Sequence, residues 1–357
     1  MSIRLGIIGA GSIGEVHAKA ALEAGQKVAC VADVDLDKAK LLAAEYEGCQ
    51  ATAEVKELLA DESIDAVVVC VPNRWHKDLA IESLRAGKDV LLEKPMGLNV
   101  AECAEINAVA AETKRLLQIG LVYRLSSVGQ AAKSVVESGD LGTIYHAKAH
   151  LFRRRGVPGL GGWFTTKDVS GGGPLIDLGV HVIDISTWLM GTPTPKRVSG
   201  KVYSHFGKQM KDYVYEEMWA GPPKLDGICD VEDSAHAMIH FEGGGSLDLQ
   251  VSWAINMPTP NMESAETIAL FGDRGGLSFK LQGNHVDVAS QRYGRNVDTR
   301  ILLTETDQFT EQARAFAACV ESRQTPITPG EHGQYVQAII DAIYESSATD
   351  REIQLNK

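Results

Sequence analysis

The sequence has few features of a secreted, membrane-bound or metal-binding protein. Its six cysteines are widely scattered along 357 residues and form no C-x-x-C pair. This spacing argues against a disulfide framework or a zinc site and favours reduced, mostly buried thiols. No apolar run approaches the roughly 18 residues that span a membrane, and the N-terminus lacks the pattern of a signal peptide. We therefore expect a cytoplasmic protein.

Positive charge is also scarce. The formal net charge is −12 and the isoelectric point is near 5.3, which argues against binding to nucleic acid or an anionic membrane. Hydrophobic residues make up 44% of the chain and charged residues 23%, the proportions of a globular protein. The chain shows no internal repeat and is too long for one ordinary core, so two domains are expected.

The most informative segment is the first 33 residues. An apolar run, Ile3–Ile8, leads directly into the glycine segment Gly9–Gly14 (GAGSIG). A helical pattern follows through Gly25, and a second apolar run ends in Asp33. The order strand, G-x-G-x-x-G, helix, strand and acid is the pattern of a dinucleotide-binding unit.

Each part of this pattern has a chemical task. Gly9 permits a tight turn, Gly11 lets the backbone approach a pyrophosphate, and Gly14 lets the helix pack closely on the strand. The helix N-terminus offers free N–H groups and a positive dipole end to the phosphates. Asp33 is placed to accept hydrogen bonds from an adenosine ribose. Because its carboxylate would repel a 2′-phosphate and residues 34–37 contain no cation, NAD is favoured over NADP.

Residues up to 124 continue as a regular alternation of helices and strands. Helical patterns lie at 35–47, 54–60, 74–86 and 100–114, and apolar runs lie at 65–71, 89–92 and 116–120. Such alternation predicts a doubly wound parallel sheet with helices on both faces. We therefore predict an NAD(P)-binding Rossmann domain over residues 1–124.

From residue 125 to residue 357 the pattern changes. Helical patterns lie at 128–138, 174–190, 307–322 and 331–347, and strand-like runs lie at 143–152, 197–206, 234–241, 246–253 and 266–271. Strands joined by turns predict a mostly antiparallel sheet. The predicted fold class is α/β, with an N-terminal doubly wound parallel sheet and a C-terminal α+β domain. In that second domain an open, mostly antiparallel sheet carries helices on one side.

Three segments follow strands of the first domain, at the edge where doubly wound sheets bind ligands. They are the glycine segment, Pro72-Asn73 and Glu93-Lys94-Pro95. The ammonium of Lys94 would project toward the nicotinamide half of NAD, where it can polarise a substrate oxygen or share in proton transfer. Taken alone, a lysine at a strand end is more often solvated than functional.

A second group of polar residues follows Gly171-Gly172-Gly173. Asp177 and His181 are four residues apart, so a helix would place them on one face, with Asp184 a turn further along. A carboxylate beside an imidazole holds its tautomer and stabilises its protonated form, as a general base for an alcohol requires. The glycines would let the backbone approach a ligand. A satisfied polar pair and a metal site are the alternatives, although no nearby His or Cys cluster completes a metal site.

These motifs together resemble those of the glucose–fructose oxidoreductase / inositol dehydrogenase / rhizopine-catabolism (Gfo/Idh/MocA) family. The resemblance covers nearly the whole chain and includes the glycine segment, Val71-Pro72-Asn73 with His76, Glu93-Lys94-Pro95, Gly139-Asp140-Leu141-Gly142 and the Asp177, His181 and Asp184 pattern. It implies NAD(P)-dependent oxidation or reduction of a sugar, cyclitol or sugar derivative. It also implies a homo-oligomer, dimer or tetramer, because the open C-terminal sheet often forms oligomer contacts in the family.

The resemblance further implies individual roles. Lys94, often followed by a cis proline in the family, contacts the reacting oxygen and the nicotinamide ribose, while Asp177 and His181 form the acid/base pair. In the resulting hypothesis the sugar lies in the cleft between the domains. His181 removes the hydroxyl proton, Asp177 orients it, and Lys94 stabilises the alkoxide as hydride leaves. Family members differ on whether the lysine or the histidine is the principal base.

The predicted site residues form two sets. The cofactor set is Gly9, Gly11, Ser12, Ile13, Gly14, Asp33, Pro72, Asn73, His76, Glu93 and Lys94, and the substrate set is Lys94, Tyr123, Arg153, Trp163, Asp177 and His181. If the strand before them continues, Arg153 and Arg155 share a face and would recognise a carboxylate or phosphate. Solvated or intersubunit arginines are an equal alternative. Trp163 and Phe164 would either stack on a sugar or belong to an aromatic core.

Two other functions stay open. One is an NAD-dependent glycosidase that oxidises its substrate transiently, and the other is a non-catalytic NAD-binding regulator of the same fold. The presence of Lys94, Asp177 and His181 argues against the regulator. Net NADH formation separates a dehydrogenase from a glycosidase.

Overall fold

The computed structural model describes residues 3–214, 220–258 and 265–355. The chain separates into two compact units. The first comprises Met1–Leu125 and Thr306–Gln337, and the second comprises Ser126–Glu305 and Ala338–Lys357. Residues 306–337, which the sequence pattern assigns to the second domain, therefore belong with the first unit.

The first unit contains a parallel sheet flanked by helices. Its strands are β1 (Arg4–Ile8), β2 (Lys27–Ala32), β3 (Gln50–Thr52), β4 (Ala66–Val69), β5 (Asp89–Leu92) and β6 (Leu117–Ile119). Its helices include α1 (Ser12–Glu23), α2 (Leu36–Ala43), α3 (Val55–Ala60), α4 (His76–Arg85), α5 (Val100–Thr113) and α9 (Gln308–Ser322). The strand order β3-β2-β1-β4-β5-β6 is that of a Rossmann fold. The predicted doubly wound parallel sheet is confirmed.

Hydrophobic packing explains why α9 belongs to this unit. Phe316 and Ala317 of α9 are buried in the same core cluster as Ala18 and Ala21 of α1 and Ile7 of β1. Burying an aromatic side chain of this size contributes about 1.5–3 kcal/mol. No local periodicity reveals such a contact, because the two helices lie almost 300 residues apart in the sequence, roughly the separation of Ala18 and Phe316.

The second unit is built on a nine-stranded sheet. Its strands are β7 (Ile144–Phe152), β8 (Pro195–Tyr203), β9 (Ser234–Phe241), β10 (Ser246–Ser252), β11 (Glu266–Gly272), β12 (Gly275–Phe279), β13 (His285–Arg292), β14 (Arg295–Leu302) and β15 (Ile353–Gln354). Its helices are α6 (Ser127–Glu137), α7 (Lys167–Ser170) and α8 (Val180–Leu189). Helix α10 (Gly330–Thr349) begins in the first unit and ends in the second. The strand order is β14-β13-β12-β11-β7-β10-β9-β8-β15, and every neighbouring pair is antiparallel except β7 and β10. The predicted open, mostly antiparallel sheet is confirmed.

The two faces of this sheet differ. In β9 and β10 alternate residues such as Ala237, Ile239, Leu247 and Leu249 are buried, and the residues between them are partly exposed. Helix α8 packs against β7, β10 and β11. The alternation therefore marks one face that helices cover and one face that is partly open.

The sequence pattern missed four strands of this sheet, β12 to β15. Strand β14 is largely exposed and lacks an apolar alternation, so its signal is weak. It pairs with β13 through a two-residue turn in which Tyr293 and Gly294 both have positive φ, at 57° and 70°. Such a turn matches the twist of a hairpin, but tyrosine is an unusual residue for it.

None of the helices in the described residues has the length and apolar character needed to cross a membrane.

Two arginine–aspartate pairs with similar geometry differ in burial. Asp89, at the start of β5, is 1% exposed and accepts hydrogen bonds from both terminal nitrogens of Arg323 and from the Leu116 N–H. On the exposed β13–β14 hairpin, Arg300 donates to both oxygens of Asp287 at 2.7 and 2.9 Å, and this contact lowers the pKa of Asp287.

We expect Arg323→Met to lower the free energy of unfolding by about 1–3 kcal/mol, because it leaves the buried Asp89 carboxylate without its counter-charge. The matched variant Arg300→Met is expected to leave that free energy nearly unchanged, because a surface ion pair is screened by solvent. Chemical denaturation followed by circular dichroism measures both. Equal losses for the two variants would contradict the prediction.

Candidate active site

The loops that follow β2, β1, β4, β5 and β6 lie along one edge of the parallel sheet. In spatial order they carry Asp33, Gly9–Gly14, Pro72-Asn73, Glu93-Lys94 and Tyr123. Parallel strands end at the same edge, so the fold gathers residues that are far apart in the sequence. All predicted site residues of the first unit lie in or directly after these loops.

Three glycines of the segment have different surroundings. Gly9 has φ +106°, and a Cβ there would lie 2.6 Å from the carbonyl oxygen of Cys70. A Cβ on Gly14 would lie 2.0 Å from the Gly9 carbonyl oxygen, so only glycine lets α1 begin this close to the turn. A Cβ on Gly11 would meet no described atom within 4 Å. The open side at Gly11 is where a pyrophosphate can approach the backbone.

The N-terminus of α1 fits an anionic ligand. Gly11 is its N-cap, no described side chain caps the first turn, and Ser12 is exposed while Ile13 is half-buried. The N–H groups of this turn are therefore oriented toward an incoming phosphate. Asp33 borders the same turn, because its Oδ2 accepts the Ala10 N–H at 2.7 Å and its Oδ1 accepts the Asp35 N–H at 2.8 Å. These contacts hold the carboxylate in place and leave lone pairs for a ribose hydroxyl.

His76 connects the loops that follow β4 and β5. It is 1% exposed, with Nδ1 2.6 Å from the Pro95 carbonyl oxygen and Nε2 2.8 Å from the Val71 carbonyl oxygen. Burial lowers the pKa of His76, and the two carbonyl contacts only partly oppose this effect. A neutral imidazole carries one N–H and so donates to one of these carbonyls at a time. Asn73, 7% exposed, lies at the start of the same connection.

Glu93 and Lys94 follow β5. Glu93 is 5% exposed, its Oε1 lies 2.7 Å from His17 Nε2, and its Oε2 accepts the Lys94 N–H at 3.0 Å. Burial raises the pKa of Glu93, but the hydrogen bond and charge of His17 and the nearby Lys94 outweigh it and hold that pKa below its ordinary value. Lys94 is half-buried, and its peptide bond to Pro95 is cis, as the family resemblance implies.

Tyr123 lies in a short 3-10 helix, Val122–Leu125, after β6. Its neighbour Arg124 is 1% exposed, donates from Nη1 to the Ile327 carbonyl at 3.0 Å and contacts His332 Nδ1 at 2.5 Å. Burial and the adjacent guanidinium lower the pKa of His332 to about 4, so this imidazole is neutral and accepts the hydrogen bond. The buried arginine thereby fixes the backbone that presents Tyr123.

In the second unit, a π-helical turn precedes α8. It spans Leu175–Gly179, so Asp177 lies in the π turn and His181 lies in the following α-helix. The expectation of one regular helix through both residues is therefore corrected, because the first turn is a π turn, which is wider than an α turn. Such turns occur frequently at functional sites.

Asp177 is held by a residue that the sequence pattern did not single out. The indole Nε1 of Trp253 donates a hydrogen bond to Asp177 Oδ2 at 2.9 Å. Trp253 is 1% exposed and Asp177 is 8% exposed. Because the indole N–H can only donate, this contact favours an ionised carboxylate. Trp253 directly follows a strand, and no motif distinguishes such a tryptophan from an ordinary core residue.

The glycines before this helix pack against the protein itself. A Cβ on Gly172 would lie 2.0 Å from Tyr344 Oη, and a Cβ on Gly173 would lie 2.0 Å from the Glu232 carbonyl oxygen. The expectation that the glycine run lets the backbone approach a ligand is corrected for Gly172 and Gly173, where the protein itself occupies that space. The buried Glu232 Oε1 accepts hydrogen bonds from Tyr344 Oη at 2.8 Å and from the Leu175 N–H at 3.1 Å, and burial raises its pKa.

Two arginines of the predicted substrate region do not share a strand face. Strand β7 ends at Phe152, and Arg155 stacks on Phe206 at 4.9 Å and donates to Asn256 Oδ1 at 2.7 Å. Arg153 is half-buried, and its Nη1 is buried without a hydrogen-bond partner among the described residues.

The aromatic rings of Trp163 and Phe164 stack on each other. The rings of Trp163 and Phe164 lie with their centroids 3.8 Å apart, Phe164 is 9% exposed, and Trp163 is only half-buried. One face of the indole is therefore covered by protein.

Among the described residues, no group of three or more His, Cys, Asp or Glu side chains is arranged to hold a metal ion.

Two family models match this chain. Residues 3–121 match an oxidoreductase family model described as an NAD-binding Rossmann fold, and residues 130–278 match the GFO/IDH/MocA C-terminal domain. D-glucoside 3-dehydrogenase of Escherichia coli K12 is 29% identical over 359 residues, which cover 99% of this chain and 97% of that protein. The scyllo-inositol 2-dehydrogenase (NAD(+)) of Bacillus subtilis 168 is 27% identical over 333 residues, which cover 91% of this chain and 88% of that protein.

A solved structure has the same fold. The structure of levoglucosan dehydrogenase in complex with NADH and levoglucosan is 19% identical in sequence and has a TM-score of 0.86. The match covers 100% of this chain and 100% of that chain. The predictions of an oxidoreductase and of NAD as its cofactor are confirmed. Both the N-terminal and the C-terminal models match in the expected order, so the chain belongs to the Gfo/Idh/MocA family of oxidoreductases.

Proposed function

We propose that the protein is an NAD-dependent dehydrogenase that transfers a hydride between nicotinamide and a hydroxyl-bearing carbon of a sugar, cyclitol or sugar derivative. One observation carries this proposal. The turn at Gly11, where the backbone is accessible, and the loop that contains Lys94 lie at the same edge of the parallel sheet. Membership of the family and relatives named as D-glucoside and scyllo-inositol dehydrogenases support the substrate class.

The residues of the first unit fit the cofactor. The turn Gly9–Gly14 would hold the pyrophosphate, Asp33 would accept hydrogen bonds from the adenosine ribose, and Pro72-Asn73 would border the same edge. Lys94 would contact the nicotinamide ribose. NAD, when bound, supplies the hydride acceptor.

The polar residues of the protein handle the proton. In our proposal His181 takes the hydroxyl proton, and Asp177, held by the Trp253 indole, orients the imidazole and stabilises its protonated form. The ammonium of Lys94 stabilises the negative charge that develops on the substrate oxygen. Assistance of this kind increases a rate by about 10²–10⁴-fold.

Three further side chains would select the substrate. Trp163 is half-exposed and backed by Phe164, so one indole face can stack on a sugar ring. Arg153 carries a buried donor, and Tyr123 carries a hydroxyl on a segment that Arg124 fixes. A guanidinium in this set would favour a substrate with a carboxylate, such as a uronate.

We expect Lys94→Ala and His181→Ala each to lower kcat at least about 100-fold with the best substrate from a panel of sugars, uronates, cyclitols and nucleotide sugars. Trp253→Phe is expected to lower kcat about tenfold, because it removes one hydrogen bond from Asp177. NADH absorbance measures turnover, and the exposed Lys167→Ala serves as a control with unchanged rate.

Two outcomes would contradict this proposal. Wild-type-like turnover in both alanine variants would remove Lys94 and His181 from the chemistry. Release of an aglycone without net NADH would identify a glycosidase instead of a dehydrogenase.

The cofactor preference is tested at Asp33. Asp33→Ser is expected to raise kcat/KM for NADP relative to NAD at least about tenfold, because it removes a negative charge that repels the 2′-phosphate. Asp35→Ser, an exposed aspartate two residues further on, is the matched control and should leave the ratio unchanged. An unchanged ratio in Asp33→Ser would show that another group selects the cofactor.

We also propose a cytoplasmic homo-oligomer, dimer or tetramer, that associates through the partly open face of the nine-stranded sheet. All six cysteines are free thiols, which suits a reducing compartment. The partly exposed alternate residues of β7, β9 and β10 support this contact surface.

We expect Met238→Arg, at the centre of that face, to shift the protein toward monomer, because it would bury a charge in the contact. Tyr293→Arg, at the 94% exposed tip of the β13–β14 hairpin, should leave the assembly unchanged. Sedimentation velocity distinguishes the two. A Met238→Arg oligomer of wild-type mass would place the contact elsewhere.

A further inference from the structure

His17 is a buried polar residue that the mechanism above does not use. It lies on α1, three residues after Gly14, and is 2% exposed. Its Nε2 is 2.7 Å from Glu93 Oε1, and the ring of Phe309 meets it edge-on with the centroids 5.5 Å apart. A helix whose N-terminus belongs to the cofactor turn is thus joined to the residue that precedes Lys94.

The protonation of this pair follows from its chemistry. The contacts around Glu93 keep its pKa below the ordinary value despite burial, so Glu93 is a carboxylate at neutral pH and can only accept hydrogen bonds. His17 must therefore carry a proton on Nε2 and donate it to Oε1. The second oxygen, Oε2, accepts the backbone N–H of Lys94. Both carboxylate oxygens are thereby engaged.

The carboxylate has little freedom to move. A Cβ on Gly120 would lie 2.8 Å from Glu93 Oε1, so the loop after β6 closes directly over it. The charge of Glu93 in turn raises the pKa values of two neighbouring groups, Cys70 and His76. Burial raises the pKa of the Cys70 thiol far above its ordinary value and lowers the pKa of His76, so both are neutral. Lys94 is the nearby cation that stabilises the Glu93 carboxylate.

We propose that His17 and Glu93 form a positioning pair that links the cofactor-binding helix to Lys94 and keeps Lys94 in its ammonium form. The interaction is reciprocal: if Lys94 stabilises the ionised Glu93, then the ionised Glu93 stabilises the protonated Lys94 by the same free energy. His17 acts through Glu93, because its hydrogen bond keeps the buried carboxylate charged and oriented. This inference rests on the proposed role of Lys94 only for its consequence in catalysis.

The test measures the protonation of Lys94 without enzyme turnover. An amine-reactive acylating reagent labels only the neutral amine. The extent of Lys94 labelling is measured against pH by peptide mass spectrometry. It gives the Lys94 midpoint, the pH at which half of this amine is neutral. We expect Glu93→Gln to move that midpoint about one pH unit or more toward lower pH, because the variant removes the neighbouring negative charge. Glu102→Gln, which removes the carboxylate that accepts the Leu98 N–H, is the matched control and should not move it.

Variants of His17 separate positioning from packing. His17→Leu removes the donor that orients the buried carboxylate, so Oε1 is no longer held and the Lys94 midpoint should fall, by less than in Glu93→Gln. His17→Gln retains an N–H donor and should preserve most of the wild-type midpoint. In the Glu93→Gln background, His17→Leu should add no further shift, because the charge through which it acts is already absent.

Each result decides the proposal. A midpoint unchanged in Glu93→Gln, or shifts that add fully in the double variant, would overturn it. A His17→Leu variant that only loses thermal stability would leave His17 as a packing residue, and His17→Ala, which also lacks a donor, provides the same measurement if the leucine variant does not fold. If the midpoints shift as expected but Lys94→Ala retains full turnover, the pair is established and the proposed catalytic role of Lys94 fails by itself.

Discussion

The absence of a side chain at residue 14 is the constraint on which the first unit depends. A Cβ there would lie 2.0 Å from the Gly9 carbonyl oxygen, so only glycine lets α1 start directly against the end of β1. This contact leaves the N–H groups of the first turn at the sheet edge, beside Asp33. One turn further along, the same helix places His17 against Glu93. The phosphate site and the support of Lys94 therefore follow from a single close packing.

Buried carboxylates organise the functional residues of both units. Glu93 accepts hydrogen bonds from His17 and from the backbone of Lys94, while Asp177 accepts one from the Trp253 indole. Glu232 accepts bonds near the start of the helix that leads to His181. A buried carboxylate without partners costs several kcal/mol, so each of these groups strongly favours one local arrangement. The functional side chains are thereby held before any ligand binds.

Much of the fold and part of the candidate site were predictable from local sequence. The tasks of Gly9, Gly11 and Gly14 follow from backbone geometry, and the surroundings of each glycine agree with them. The strand–helix alternation identified the Rossmann sheet, because apolar periodicity reports burial directly. Strands β12–β15 were not predicted, and among them β14 is largely exposed and has no such periodicity. The individual catalytic and binding roles remain predictions.

The sequence by itself determined most of the elements, the cofactor turn and the family motifs, because these depend on neighbouring residues and their periodicity. Only the tertiary structure decided which distant groups support them. His17 and Glu93 are 76 residues apart, as are Asp177 and Trp253, and no local pattern encodes either contact. The tertiary structure also has a π turn at Asp177 where a regular helix was predicted, and Tyr344 occupies the space beside Gly172. Such contacts depend on packing between elements, which periodicity along one element does not report.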